Sequence, residues 1–581
     1  MTLGSVTVSP EGDRLLLRAD GAGHRVGRLL ATADPPVRSR RSGDTVNISW
    51  PDADRLDQID GFDLRWDRQA RRWVDNRRRV SSHAAAVRVA VERTLVNGSV
   101  PARALLAHHG WVDLLDDHQT VNVAALTVPD GWGGCVFDEQ GTGKTPTTIA
   151  AFDVLHQRDE ADVLVVVAPK SMVGEWPVEV YRFSDGLYKT AVITGTRAQK
   201  AQAIESGADV LVCNYEAVGT MIVNLALLAE RARIMLAVDE SFFVKNPDSA
   251  RTSAIRKFRE HCTHAVVLCG TPAPNSPVDL VAQFDLVDFG HTFRGVHLDK
   301  DRDIAARQVR AVLDDRGVYL RSLKRTVLPN LPTRTFSEVP VDMAPDQAGA
   351  YRAALNDIVL DLRNASDEDY QRTINSFLER RAALLRICSD PSALIPGYTE
   401  TPAKITALDR VVEDLVRQGE KIVLWSFYRA SLDRVARRYA DHGLVRIDGS
   451  ITDVAQRREA VRSFQDDPDT MIFVGNPAAA GAGLTLHAAR YAIYESLSNQ
   501  AAHYLQSLDR IHRRGQTREV HYVTLLCTGT IEEAEYARLL DKADRQADLL
   551  GDPPAPRPNR TVLLDEFAAL LAAAPPGADR L

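Results

Sequence analysis

Residues 138–145 read Asp-Glu-Gln-Gly-Thr-Gly-Lys-Thr. Gly141 and Gly143 permit close backbone approach to an anion, Lys144 can reach the β and γ phosphates of a nucleotide, and the Thr145 hydroxyl can hold magnesium. A turn with two glycines is the plain alternative, and Asp138 stands where the strict phosphate-loop pattern has its first glycine. A second candidate is the apolar run 236–238, which ends in Asp239 and Glu240. On a strand end, that pair lets Asp239 orient a magnesium shell while Glu240 polarises an attacking water. Alone it reads as a surface turn. Joined to the 138–145 loop on a neighbouring strand of one sheet, it reads as an active site. A third candidate lies in 506–516, where Arg510 and Arg513 share a helical face. Arginines that reach a γ phosphate only when two lobes close stabilise transition-state charge in one conformation, although a solvated charged face is the ordinary alternative.

These residues need strands to deliver them and helices to present backbone N–H groups. The run 133–137 supplies an apolar approach to the loop, and 146–155 a following helix. Near-continuous apolar runs recur at 163–169, 209–215, 234–240 and 265–270, and again at 421–426, 471–476, 491–494 and 520–526. Such runs alternating with helical stretches indicate parallel sheets covered on both faces, hence an α/β protein with two lobes. The expected layout is a small N-terminal α+β domain over 1–105, a nucleotide-binding lobe over 106–277, a helical insertion and connector over 278–400, and a second lobe over 401–550. A Pro-rich linker and an amphipathic helix are expected over 551–581. Within the first domain, the strands flanking 9–13 read as a hairpin and 84–96 as a helix.

A chain of 581 residues and 64.0 kDa exceeds one hydrophobic core. Its net charge of -7 confines any polyanion-binding surface to a local patch. Only 11 of its 71 basic residues are lysine, a skew expected of a GC-rich genome and therefore of a bacterium or its phage. The six cysteines form no C-x-x-C pair and sit mostly in apolar runs, as buried thiols of a reducing compartment would. The N-terminal stretch 1–10 lacks a charged segment followed by an apolar core, so no leader is expected, and no apolar run approaches the ~18 residues of a membrane span. The expected setting is the bacterial cytoplasm, in association with the nucleoid.

The ordered motifs resemble those of the Swi/Snf-type helicase-like ATPases of helicase superfamily two, over roughly 106–550. The segment 116–119 looks like the one whose glutamine reads adenine, which nominates Gln119. The 138–145 loop resembles the family's, including Asp at its first position, so Asp138 joins the nucleotide set. Segments 168–176, 212–218, 269–276, 320–335, 385–391, 422–431, 446–450, 481–489, 509–516 and 530–533 complete the series. The resemblance implies two RecA-like lobes, ATP and Mg2+ bound in the cleft between them, Gly483 among the nucleotide contacts, and movement along double-stranded DNA without strand separation. It nominates Lys170, Ser171, Thr194, Gly195, Thr271, Asn275, Ser426 and Thr485 as DNA contacts. Two departures stand out. Ser241 and Phe242 replace the small residue and histidine usual in the acidic box, which bears on coupling. The stretch 494–506 lacks the Trp-Asn-Pro of chromatin remodellers and is more similar to the bacterial and phage branch. A strand-separating helicase and a nucleotide-gated scaffold of a DNA-processing or defence complex, with protein partners, remain alternatives.

The stretch 61–79 carries seven arginines, three aspartates and two tryptophans. It reads either as a basic, aromatic DNA-binding hairpin or as a small β-domain with Trp66 and Trp73 in its core.

Overall fold

The computed structural model describes residues 3–550 and Asp552, apart from 12–13, 35, 38, 49, 274–275, 365–378, 380, 452, 481–483 and 499. The linker and helix expected over 551–581 therefore lie, Asp552 aside, outside the described residues. Two compact units divide the chain, Met1–Val327 and Leu328–Leu581.

The first unit opens with a sheet of β1 (Leu3–Glu11), β2 (Arg14–Arg18), β3 (Ser39–Ser42), β4 (Thr45–Ile48) and β5 (Phe62–Trp66), in the order β3-β4-β2-β1-β5. β1 and β2 pair antiparallel, so the expected hairpin forms. Period-two alternation places Leu15, Leu17, Val46 and Ile48 on one face, buried with Val26 and Leu30 of the helix Gly23–Thr32. The 61–79 stretch does not form a hairpin. It is β5 followed by the helix Arg68–Asn97, because beyond Asp67 the sequence keeps helix-forming residues without a turn signal. Trp66 Nε1, Arg71 and Arg78 all donate to the Asp57 carboxylate, and the Arg71 guanidinium lies over the Trp66 ring. Trp66 also packs against the small core, as the second reading expects. The side chains of Trp73, Arg72, Arg77 and Arg79 lie outside the description.

The larger sheet of this unit contains β6 (Gly133–Val136), β7 (Val163–Ala168), β8 (Thr190–Ile193), β9 (Val210–Asn214), β10 (Ile234–Asp239), β11 (His264–Leu268) and β12 (Tyr319–Leu320). All neighbours are parallel, in the order β12-β6-β11-β10-β7-β9-β8. Every residue of β7, β10 and β11 is buried, which explains their unbroken apolar runs. Two expectations change. β10 is not the neighbour of β6, since β11 pairs with both and separates the phosphate-loop strand from the acidic strand. The lobe does not stop at 277 either. β12, from the segment expected to be an insertion, extends its sheet beside β6, and the helices Asp279–Asp288 and Arg302–Arg316 belong to the same unit.

The second unit holds β13 (Arg334–Val341), β14 (Ile422–Trp425), β15 (Leu444–Ile447), β16 (Ile472–Gly475), β17 (Tyr491–Tyr494) and β18 (Val520–Cys527), all parallel in the order β13-β18-β17-β14-β16-β15. The extended piece expected as part of the connector is β13, paired with β18 along its whole length. The two parallel-sheet lobes and the small N-terminal α+β domain are thus both present. The six cysteines are free and buried. Among the described residues, no helix is long and apolar enough to cross a membrane.

Candidate nucleotide-binding site

In a parallel sheet the carboxyl ends of all strands share one edge, and ligands collect there. The 138–145 loop leaves β6 at that edge, Asp239 ends β10, Thr271 follows β11, and Lys170, Ser171, Thr194 and Gly195 follow β7 and β8. Topology therefore brings the first unit's nominated residues to one rim, although they span much of its length.

The loop passes into the helix Lys144–Gln157 through Gly143, at φ 95°. A Cβ there would lie 1.9 Å from Gln119 Nε2, so the close packing requires glycine. Gln119 serves that packing. Its Oε1 accepts from the Asp116 N–H at 2.8 Å in a capping box, while Nε2 donates to the carbonyls of Thr142 at 3.1 Å and Gly143 at 3.3 Å. His118 Nε2 also meets the Thr142 carbonyl, at 2.9 Å. The buried Lys144 ammonium donates to the carbonyls of Asp138 and Glu139 at 2.9 and 3.2 Å. Asp138 anchors the loop base, accepting from Asn122 Nδ2 at 2.7 Å and from the Ser322 N–H at 2.6 Å. Arg321 donates to the carbonyls of Phe137 and Gly270. The segment after β12 thus braces the loop.

Two side chains tie this loop to the acidic pair. Lys144 acts electrostatically on Asp239, and Gln140 Nε2 donates to Glu240 Oε1 at 2.8 Å. The second link must cross the end of β11, and it can because Gly270 has no side chain: a Cβ there would fall 2.8 Å from Gln140 Cγ. Asp239 is held by Trp176 Nε1 at 2.9 Å and by the Glu240 N–H at 2.9 Å. Burial raises its carboxyl above the usual range, opposed by the indole hydrogen bond and by Lys144. Glu240 sits at φ 52°, a left-handed conformation that costs a non-glycine residue about 1 kcal/mol or more. The Tyr215 hydroxyl holds this turn by donating to the carbonyls of Asp239 and Glu240.

Gln140, Trp176, Tyr215, Asn122 and Ser322 were not among the nominated residues. Gln140 lies inside the loop motif and Trp176 inside the quoted 168–176 segment, so position within motifs could have flagged both. Tyr215 and Ser322 likewise lie inside the 212–218 and 320–335 segments, whereas Asn122 reaches the site only through tertiary contact. Among the nominated residues, Thr145 lies in the first turn of the loop helix. Lys170, Thr194 and Gly195 are exposed and Ser171 is half-buried, whereas Thr271 is buried. Asn275 lies outside the described residues.

In the second unit the helix Ala501–Leu508 ends before Arg510, so Arg510 and Arg513 lie in the turns that follow and not on one helical face, and both donate to the Leu484 carbonyl, at 3.5 and 2.9 Å. The Leu486 N–H bonds the Arg510 carbonyl, and Gln516 Nε2 bonds the carbonyls of His487 and Ala489. The segments 484–489 and 510–516 are therefore stitched together, with half-buried Thr485 beside them. Gly483 lies outside the described residues. Ser426 departs from its expected place on a contact surface. It is buried, its hydroxyl donating to Glu495 Oε2 at 2.7 Å, while the Ser389 hydroxyl donates to Oε1 of the same carboxylate at 2.6 Å. Lys404 joins the same cluster, its ammonium 2.7 Å from both the Glu495 carbonyl and Glu532 Oε1.

Residues 66–393 match the SNF2-related domain, and residues 403–515 the helicase conserved C-terminal domain. The chain is 26% identical over 437 residues to the DNA annealing helicase and endonuclease ZRANB3 of Mus musculus, covering 71% of this chain and 38% of the relative. It is 28% identical over 430 residues to YwqA of Bacillus subtilis, covering 69% of this chain and 45% of the relative. The chain thus spans less than half the length of either. A solved structure, the Sulfolobus solfataricus SWI2/SNF2 ATPase core in complex with dsDNA, aligns over 75% of this chain and 93% of its own, with a TM-score of 0.35 and 20% identity.

Proposed function

The chain belongs to the SNF2-related family, and from that premise we propose that it is an ATP-dependent motor that couples hydrolysis to movement along double-stranded DNA. One observation carries this reading at the site: the 138–145 loop and the acidic pair meet across β11 through Gln140 and Lys144. Lys144 exchanges the two loop carbonyls it now contacts for phosphate oxygens. The backbone N–H groups at the helix N-terminus receive the same anion. Gln140 and the Tyr215-held turn keep the Glu240 carboxylate oriented toward the attacking water, whose proton it accepts. Gln119 sets the shape of the loop apex and with it the preference for adenine.

Thr145 and Asp239 fit a hard divalent cation, since a hydroxyl and a buried carboxylate beside a phosphate site are magnesium's oxygen ligands. When bound, magnesium supplies charge neutralisation of the β and γ phosphates. Arg510 and Arg513 are assigned to the charge that develops on the γ phosphate, and Gly483 to nucleotide contact. Lys170, Ser171, Thr194, Gly195, Thr271, Asn275 and Thr485 are assigned to DNA phosphates, where contacts carry no sequence information and release readily. The setting proposed is the bacterial nucleoid, within a DNA-processing or defence system.

The test is steady-state ATP turnover with magnesium and long linear duplex, single-stranded DNA or RNA. Duplex raises turnover and RNA does not. Equal stimulation by RNA overturns the reading, and release of a displaced strand identifies a helicase instead.

A further inference from the structure

Ser241 follows the acidic pair directly, and its side chain is fully buried. Its hydroxyl donates to Gln283 Oε1 at 2.6 Å. Gln283, on the helix Asp279–Asp288 and also fully buried, donates from Nε2 to the carbonyl of Pro272 at 2.6 Å and to that of Asp279 at 2.8 Å. The orientation of this amide is not free. Turning it over would set its oxygen against two carbonyl oxygens, leaving acceptors face to face at a fully buried position. Three of its polar valences are used, and they connect two turns distant in sequence: the one holding Glu240 and the one running from Cys269 through Pro272.

The second turn has little other freedom on its loop side. Gln140 packs over Gly270, and Arg321 donates to the Gly270 carbonyl. At its far side, Thr271 Oγ1 is buried with no hydrogen-bond partner among the described residues. Movement of the acidic turn by even 1 Å would stretch the short Ser241–Gln283–Pro272 chain beyond hydrogen-bond range, so the two turns move together or the amide loses its partners. The Phe242 side chain makes no such link, although its backbone N–H meets the Cys269 thiol. It stacks on Phe243 at 4.4 Å between ring centroids, an apolar contact on the other side of the turn.

We infer that Gln283 is a positioning residue which, through Ser241, couples the nucleotide state sensed at Glu240 to the turn from Cys269 through Pro272, whose Thr271 is assigned above to a DNA phosphate. The inference rests on the motor reading for the meaning of that turn, but the mechanical link stands on the hydrogen bonds alone.

The experiment uses the full chain and the variants Gln283→Leu, Gln283→Glu, Ser241→Ala and Ser241→Thr. Two readouts are taken. The first is ATP turnover with and without saturating duplex. Gln283→Leu keeps DNA-free turnover and the thermal midpoint within about twofold and a few degrees of the parent, while duplex stimulation falls about three- to tenfold. Ser241→Ala has the same effect, the Ser241→Ala/Gln283→Leu double variant is no worse than either single one, and Ser241→Thr restores stimulation by retaining the hydroxyl. Gln283→Glu loses stimulation although it preserves shape. The second readout needs no DNA: amide hydrogen exchange across 269–276, with and without a non-hydrolysable ATP analogue and magnesium. The parent changes protection there on nucleotide binding, and Gln283→Leu does not. Parallel loss of DNA-free and DNA-stimulated turnover, multiplying effects in the double variant, or an unchanged exchange response would each overturn the relay. If duplex fails to stimulate the parent while the exchange response is present and abolished in Gln283→Leu, the motor reading falls and the relay stands.

Discussion

A glutamine inside the 138–145 loop steadies the carboxylate assigned to the attacking water, and a lysine in the same loop, assigned to phosphate, donates to two loop carbonyls. These two side chains call for different outcomes. Lys144→Ala removes the cation that meets the anion, so both nucleotide affinity and turnover are lost. Glu240→Gln keeps size and hydrogen bonding but removes the base. Equilibrium binding of a fluorescent ATP analogue should therefore change little, while kcat falls about 10²–10⁴-fold. A chain in which Glu240→Gln retains full biological function would be a nucleotide-gated scaffold, not a motor. Gln140→Ala is milder, an expected loss of about tenfold in kcat with KM unchanged, since it releases Glu240 without removing it.

At the scale of elements, each lobe contains a buried polar cluster whose failure has a specific signature. In the second, Lys404 is fully buried among Glu495 and Glu532. Burial raises the Glu532 carboxyl, which the neighbouring ammonium opposes. Cys388 and Cys527 lie close to Glu532, but its carboxylate already pairs with Lys404. Lys404→Met leaves buried acids uncompensated and should destabilise the second unit by about 3–5 kcal/mol, read as a lower denaturant midpoint. In the first unit, the His264 ring in β11 is pushed down to about 4, by burial first and the charge of Arg259 second. Its ring nitrogens face Thr263 Oγ1 at 3.1 Å and Glu160 Oε2 at 3.9 Å, and that carboxylate is exposed enough for solvent to screen it. The folded state thus keeps the ring neutral where the unfolded chain protonates it near 6.5. The contribution is whole above about 6.5 and is lost as pH falls through about 4, a span of about 3 kcal/mol at most. His264→Gln should flatten the dependence of the urea midpoint on pH within that window.

At the scale of the whole molecule, a motor that moves along duplex meets an end sooner on a short substrate. Turnover per protein should rise with duplex length and then level off, whereas a protein that only binds DNA shows no dependence beyond its footprint. Affinity for duplex should also fall with added salt, because phosphate contacts release counterions.

What the sequence determined by itself was chemistry and fold class. The glycine-lysine-threonine loop, the acid pair and the two series of buried apolar runs are local signals, set by backbone freedom and by the two-sided burial of parallel strands. The N-terminal hairpin is equally local and equally legible. Strand order is not local. Nothing in the runs at 234–240 and 265–270 tells which of them lies beside β6, and only the folded sheet inserts β11 between loop and acids. That insertion makes Gly270 and Gln140 matter. The membership of β12 and β13 in the two sheets, the withdrawal of Ser426 into a carboxylate cluster and the Ser241–Gln283–Pro272 chain have the same origin. Each depends on which surfaces pack together, and a buried polar group takes whatever partner that packing brings within 3 Å or so, however distant in sequence.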